Sequence, residues 1–477
     1  MALKNNVEPL SKEEMLKIHD ATLKLLWESG VVFRSEQALE LFKNHGARVE
    51  GQTVYIPQKM VERSIMLCPS KFEYRARNAA QTITIGEGFA IQPNTGPVDI
   101  QDMDNGRRPG TLQDYINIQK MCQASDVVKI AGANPVATQD IPPDERHLKM
   151  IYETIRHTDK PLMNIVLHGE QARQVLKMVE IAFGEDDVLS RHHVIGVSVN
   201  PLSPMAYGPE DIETMIAYAE NNQPVFILPC IMAGISGPIS LLGTVVQQNA
   251  EILAGTVLLQ LVNPEVPVVH TPSSTVGDLS KGEYITGTPE AFLINAANLQ
   301  ISSQMDKVPP RIMRGMTDSD SIDCQAGYET EQNMMMGMLT KANILHNCLG
   351  ILDSLMVTSY EKFVIDEELF RRFFRISQGL EVSDELLALD VIQEVTKSGG
   401  NFLTHESTFK HCRDLWQPSV SFRGRHKRIM QSGGSEDLIA VANKKYKKIL
   451  AESPDRLIDE ALDQELQDYL QTVLPVN

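Results

Sequence analysis

At 477 residues the chain is too long for one small core, and with 42% apolar residues it has enough for a large barrel with attachments or for two to three domains. A net charge of −18 with no basic block argues against a nucleic-acid-binding face, and no run approaches the roughly 20 apolar residues of a membrane span. The opening residues have no apolar signal-peptide core, and the six cysteines are scattered without CxxC or tight Cys/His spacing, so a cytoplasmic protein without a disulfide framework or structural zinc is expected.

In chain order, Ser11 to Gly30 has capping-box spacing (Ser11, Glu14) and an apolar face of Met15, Ile18, Leu25 and Leu26. With two further helices, after Ser35 and through Met60 to Leu67, it predicts an α-helical front piece over residues 1–80. From Thr82 short β-rich apolar runs recur, at Phe89–Asn94, Val127–Ala131, Leu162–Leu167, Val194–Val199, Val225–Leu228, Val266–Val269, Arg311–Arg314 and Gly350–Leu355. Helix-patterned stretches lie between most of them, including Glu170–Phe183, Pro209–Glu220, Ser240–Val262 and Tyr328–Asn347. Strands alternating with helices at this spacing predict an α/β fold, a (β/α)8 TIM barrel over 81–366, with a helical C-terminal extension packed on it over 367–477. In that extension Ser435 and Ser453 suit helix caps, and such a tail packs on a barrel's outside or mediates homo-oligomer contacts.

Polar residues follow several of the apolar runs: Asn94, Asn134, His168, Asn200, Cys230, His270 and Met316–Asp318. A barrel places its active site at that strand edge, although any single Asn there is also an ordinary turn former. The loop Met232–Pro238 offers backbone amides to an anion, or is a plain βα turn. His346, read on a helix leading into the last strand, is a candidate partner for a carboxylate ligand, whereas a lone His is more often structural. In the Met run 334–338, Met334 and Met338 suit core and Met335 or Met336 a gap filler. Tyr207, Tyr328 and Tyr360 lie in loops or past strands and are candidates for a cation cage, against ordinary packing.

The segments Asn94-Thr-Gly-Pro97, Met232-Ala-Gly-Ile-Ser-Gly-Pro238, Asp323-Cys-Gln-Ala-Gly-Tyr-Glu329, Ala342-Asn-Ile-Leu-His346 and Gly399-Gly-Asn-Phe-Leu-Thr-His405, with the opening LSKEEMLKIHDATLKLLWESGV, resemble the trimethylamine methyltransferase superfamily nearly end to end. The founding member uses pyrrolysine, and this chain, written in the ordinary twenty residues, looks like the non-pyrrolysine branch. The resemblance implies demethylation of a quaternary amine such as glycine betaine, proline betaine, carnitine or γ-butyrobetaine. The methyl acceptor it implies is the cobalt(I) of a separate corrinoid protein, with no cofactor held tightly by this chain and no metal site. On that reading Tyr207, Tyr328 and Tyr360 are candidates for the ammonium cage. Asn94, Asn134, Asn200, His270 and His346 are candidates for carboxylate recognition, and Asp318 and Glu329 for complementing the cation. The family pattern favours the positions of Gln325, Tyr328, Glu329 and His346. Two other classes stand beside it: a zinc-dependent methyltransferase of another barrel family, and a non-catalytic betaine-binding protein.

Overall fold

Eight short parallel strands close into a ring in the computed structural model, which describes residues 7–165, 167–422 and 437–474. In chain order they are β1 (Ala90–Ile91), β2 (Ala131–Gly132), β3 (Leu162–Asn164), β4 (Ile195–Val199), β5 (Val225–Ile227), β6 (Val268–His270), β7 (Arg311–Met313) and β8 (Ile344–His346). Six junctions are ladders: β2–β3, β3–β4, β4–β5, β5–β6, β7–β8 and β8–β1. The remaining two are single parallel bridges, Ile91 to Val128 and His270 to Pro310. Each strand is followed by a helix on the outside: α1 (Leu112–Ala124), α2 (Pro143–His157), α3 (Gly169–Phe183), α4 (Pro209–Glu220), α5 (Leu241–Val262), α6 (Pro289–Gln300), α7 (Cys324–Leu339) and α8 (Tyr360–Ser377). The expected TIM barrel is present, and its strands are buried on both faces, as all-parallel sheets require.

The eighth strand is not where its composition placed it. Gly350–Leu355 contributes Ile351–Leu352, which pairs antiparallel with Val357–Ser359 in a small rim sheet alongside Asp99–Asp102. The barrel strand is Ile344–His346, inside the stretch read as helix to Asn347. That helix stops at Leu339, and Lys341 turns the chain at φ 59. His346 therefore ends a barrel strand. Helix α8 is continuous through residue 366, so the extension begins as the last barrel helix.

The N-terminal end of the barrel is plugged by a hairpin, Phe72–Tyr74 with Ile83–Ile85. Its side chains pack with Ala90, Ile130, Met163, Phe226, Val269 and Ile344 of the barrel interior. The Tyr74 hydroxyl accepts from Gly196 N at 2.5 Å and donates to Leu162 O, serving two strands at once. Tyr74→Phe leaves both buried groups unpaired and is expected to cost about 1–3 kcal/mol. Thermal unfolding measures this, and an unchanged midpoint would show that the hydroxyl does not tie the plug to the strands.

The front piece joins the barrel through strand pairing, Val32 opposite Ala206, and through helix packing on α5. The capping box forms as spaced, with Ser11 N donating to Glu14 at 2.7 Å. Covered by these helices on one side and strands on the other, α5 is apolar nearly all round and buried from Thr244 to Gln260 save Val246. In the extension, helix Leu438–Glu452 packs on α8 and α1, and helix Glu460–Val473 on α3 and α2. The second of these opens at Glu460 under an Asp459 cap, with Ser453 ending the helix before it; Ser435 lies outside the described residues. Between α8 and these helices, Leu380, Val382, Leu403 and Phe409 are each more than 80% exposed.

Candidate active site

Side chains alternate along a strand, so Arg311 and Met313 of β7 face the barrel axis while Ile312 faces the helices. The Arg311 guanidinium is fully buried in the lumen. It donates to Gln92 Oε1 at 2.9 Å, Ser198 Oγ at 2.7 Å and Thr271 Oγ1 at 3.2 Å, and lies 4.5 Å from the Phe226 ring centre. All three acceptors are neutral, and among the described residues no carboxylate reaches ion-pair distance of it. Burial pulls its pKa down to about 9, which still leaves it charged at neutral pH. An uncompensated buried cation is expensive, and a ligand carboxylate would complete it.

Around that charge lie polar atoms without partners. His346 pairs in register with Met313 and so shares the inward face one step nearer the mouth. The residue is 1% exposed, and neither ring nitrogen has a hydrogen bond of good geometry, Asn347 being its polar neighbour. Burial, and secondarily Arg311, holds the imidazole pKa well below 6.5, so the ring is neutral, with one donor and one acceptor to offer. Gln92 Nε2 beside it is also unpaired, as are Asn134 Oδ1 and Thr95 Oγ1 in the loops above β2 and β1. Unpaired buried atoms occur elsewhere among the described residues too, but those of Gln92 and His346 lie at strand ends beside the uncompensated Arg311 charge, where a polar ligand would complete them.

At the mouth Met313, Met316 and Ile351 pack with Tyr284 and Leu355 into an apolar wall. The Tyr284 hydroxyl donates to Ser273 O at 2.5 Å. Nearby, Asn200 Nδ2 points to Cys230 Sγ at 3.8 Å, and burial pushes the Cys230 thiol up to about 12, leaving it protonated. Behind this wall, Asp318 accepts from Thr286 N (2.7 Å), Thr286 Oγ1 (2.9 Å), Gly287 N (3.0 Å) and Ser354 Oγ (2.5 Å), tying the loops after β6, β7 and β8. Glu329 accepts from Thr317 Oγ1 (2.6 Å), Asp318 N (2.9 Å) and Gln325 Nε2 (3.0 Å). Gly287 permits this close approach, since a Cβ there would lie 2.5 Å from the Glu329 carboxyl carbon and displace that side chain. Asp318, Glu329 and Gln325 thus come together, with both carboxylates and the Gln325 amide N–H engaged in holding the loops.

The tyrosine cage does not assemble. Tyr207 is fully buried outside the lumen, stacked on Phe33 with centres 5.2 Å apart, and its hydroxyl donates to Glu251 O. Tyr360, on the outer helix α8, donates to Asp114 and stacks on Tyr446. Tyr328 is 58% exposed on α7. Asn94 staples the rim instead of facing a ligand, donating to Leu349 O and Thr358 Oγ1 and accepting from Leu349 N. His270 follows the inward-facing Val269 and so points outward, bonded to Thr256 and Ser302, and burial lowers its pKa to about 3. Asn134 and Asn200 do lie at the mouth, Asn200 exposed. The amides of Ile235, Ser236 and Gly237 are spent on Met232 O, so the glycine loop is a βα turn and not an anion nest. Met334 and Met338 are buried core, and Met335 is exposed.

Sequence reasoning passed over Gln92, Ser198, Thr271, Arg311 and Tyr284. An Arg at an inward position of an apolar β-run was a usable signal for Arg311. Tyr284 gave none, following directly on the largely polar stretch Asp278–Glu283 with no apolar run around it. Among the described residues no three His, Cys, Asp or Glu side chains converge as metal ligands.

A family model described as trimethylamine methyltransferase matches residues 2–473. A glycine betaine methyltransferase of Desulfitobacterium hafniense (strain Y51) is 35% identical over 465 residues, covering 97% of this chain and 96% of its own length. A proline betaine:corrinoid methyltransferase of Eubacterium limosum is 32% identical over 420 residues, 85% of each chain. An L-carnitine:corrinoid methyltransferase of the same organism is 29% identical over 428 residues, 86% of each. Among solved structures, the monomethylamine methyltransferase of Methanosarcina barkeri superposes with a TM-score of 0.53 over 96% of this chain and 91% of that one. Its 10% identity makes this a likeness of fold.

Proposed function

The chain belongs to the trimethylamine methyltransferase family, and from that premise we propose that it demethylates a carboxylate-bearing quaternary amine, a betaine, and passes the methyl to cobalt(I) of a separate corrinoid protein. One observation carries the betaine class: the buried Arg311 guanidinium has only neutral partners and faces the lumen. A trimethylamine-type substrate has nothing to offer that charge. A betaine offers a carboxylate, and charge-assisted contacts to Arg are the strong ones. Gln92 Nε2 and a neutral His346 N–H are the further donors, and Asn134 and Asn200 belong to the upper shell.

The carboxylate anchored at depth turns the ammonium end toward the mouth. There the Tyr284 ring and the Met313–Met316 wall offer polarisable surface to a cation. The transfer breaks one N–CH3 bond, whose electron pair stays on the departing tertiary amine, while the acceptor's cobalt(I) supplies the pair for the new bond to carbon. Nitrogen in a quaternary amine has no lone pair to protonate, so no acid is needed, in keeping with a lumen whose His346 is neutral and whose Cys230 stays a thiol. The protein's contribution is orientation and exclusion of water. No described helix is long and apolar enough to cross a membrane; cobalt(I) chemistry suits a reducing cytoplasm.

The test is methyl transfer to free cob(I)alamin from glycine betaine, proline betaine, carnitine, γ-butyrobetaine and choline. At least one betaine is expected to react at least tenfold faster than choline, which lacks the carboxylate. Choline matching every betaine would sink carboxylate recognition, and no reaction with any of them would sink the function.

A further inference from the structure

We infer that the corrinoid protein docks on an apolar lip formed by the loops after β5 and β6, centred on Ile235, Ile239, Leu242 and Leu279; this rests on the methyl-transfer reading above. The lip is built. Met232–Ala233 pairs in parallel with Thr275–Asp278, which pairs antiparallel with Glu283–Tyr284, so two βα loops merge into one three-stranded sheet standing on the mouth. The β6–α6 connection runs from residue 271 to 288, far beyond the roughly 2–6 residues that usually join a strand to its helix, and long ordered connections are usually functional.

Its apolar side chains face solvent: Ile235 is 43% exposed, Ile239 65%, Leu242 59% and Leu279 64%. Ile235, Ile239 and Leu279 form one patch, since a Cβ on Gly234 would touch both Leu279 and Ile239, and one on Gly277 would meet Ile235; Leu242 follows in the first turn of α5. Contiguous exposed apolar surface of this kind marks an interaction site.

Position selects the occupant. The same sheet carries Tyr284, whose hydroxyl holds Ser273 just beyond β6, so the patch is continuous with the mouth through which the methyl group must leave. Cobalt in a corrinoid ring held by a protein cannot reach a carbon in the lumen unless that protein covers the mouth, and a protein covering the mouth on this side must rest on the lip. Among the described residues, a second exposed apolar stretch, around Leu380, Leu403 and Phe409, follows the C-terminal end of α8. The strands and barrel helices run antiparallel, so that stretch leaves from the opposite end of the barrel.

The experiment measures binding of the cobalamin-loaded corrinoid protein from the same organism by calorimetry, and separately methyl transfer to it and to free cob(I)alamin. For Leu279→Glu and the milder Ile239→Ser, Kd and the KM for the corrinoid protein are expected to rise tenfold or more, with transfer to free cob(I)alamin unchanged. Leu403→Glu is expected to leave all three unchanged. Unaltered binding in Leu279→Glu would overturn the docking site, and so would equal losses with both acceptors or a matching loss in Leu403→Glu. A change of oligomeric mass in Leu279→Glu with unaltered Kd would make the lip a contact between copies of this chain and also overturn it. Binding is read whether or not any betaine turns over, so failure of the docking site and failure of the methyl-transfer reading are separable.

Discussion

Arg311→Met is expected to lower kcat/KM for glycine betaine by about 10²–10³-fold while leaving choline turnover within about threefold. The difference follows from what the guanidinium has been given. Its protein partners are Gln92, Ser198 and Thr271, none charged, and it is fully buried. A ligand carboxylate gains two or more charge-assisted hydrogen bonds there, together about 3–4 kcal/mol, and a tenfold rate change corresponds to about 1.4 kcal/mol. Choline presents a hydroxyl and loses little when the charge goes. Stability should move little. Removing a buried charge that has no counter-ion relieves desolvation and offsets the hydrogen bonds lost to Gln92, Ser198 and Thr271, so without substrate Arg311→Met is expected to melt close to the parent. Arg311→Lys keeps the charge but not the planar fork, and should recover only part of the activity. Equal losses with glycine betaine and choline, accompanied by a lower melting temperature, would reduce Arg311 to a structural strut.

The same residue shows what could be read in advance. The barrel was legible because its signal is cumulative: β-rich runs spaced by amphipathic stretches, each satisfying its own local rule, can close only one way. The last strand was misplaced for a local reason. Met334, Met338, Ala342 and Leu345 keep a helical spacing across the boundary, and the break is made by Lys341 in a left-handed conformation usually left to Gly or Asn. Nothing in the composition announces that turn.

The site divides along a similar line. Asn134 and Asn200 could be placed after strands from sequence and lie at the mouth, whereas His346, read on a helix before the last strand, ends that strand. The direction of each side chain depends on strand register. His270 and Arg311 each belong to a three-residue strand, yet one faces the helices and the other the axis. Tyrosines were the poorest guide. A buried Tyr finds a hydrogen-bond partner wherever one is available, and Glu251 O and Asp114 supplied partners outside the lumen.

Asp318 tests whether a rim carboxylate acts on the ligand or on the loops. It accepts four hydrogen bonds from Thr286, Gly287 and Ser354, so Asp318→Ala leaves four donors without their acceptor at a half-buried site. Donors able to turn toward water recover part of the loss, which sets the expected cost at about 2–4 kcal/mol. Because Thr286 follows the lip strand Glu283–Tyr284, loosening it also loosens Tyr284 and the wall above the ammonium group. Hydrogen exchange should therefore rise at residues 283–288 and 353–356, and KM for betaine should rise with it. Asp318→Asn keeps one acceptor oxygen and is expected to show roughly half of each effect. A carboxylate acting directly on the cation would behave differently: Asp318→Asn would lose as much turnover as Asp318→Ala, with exchange and melting unchanged. The loop-fastening role predicts that loss of protection and loss of substrate affinity rise together from Asn to Ala, because one set of hydrogen bonds governs both.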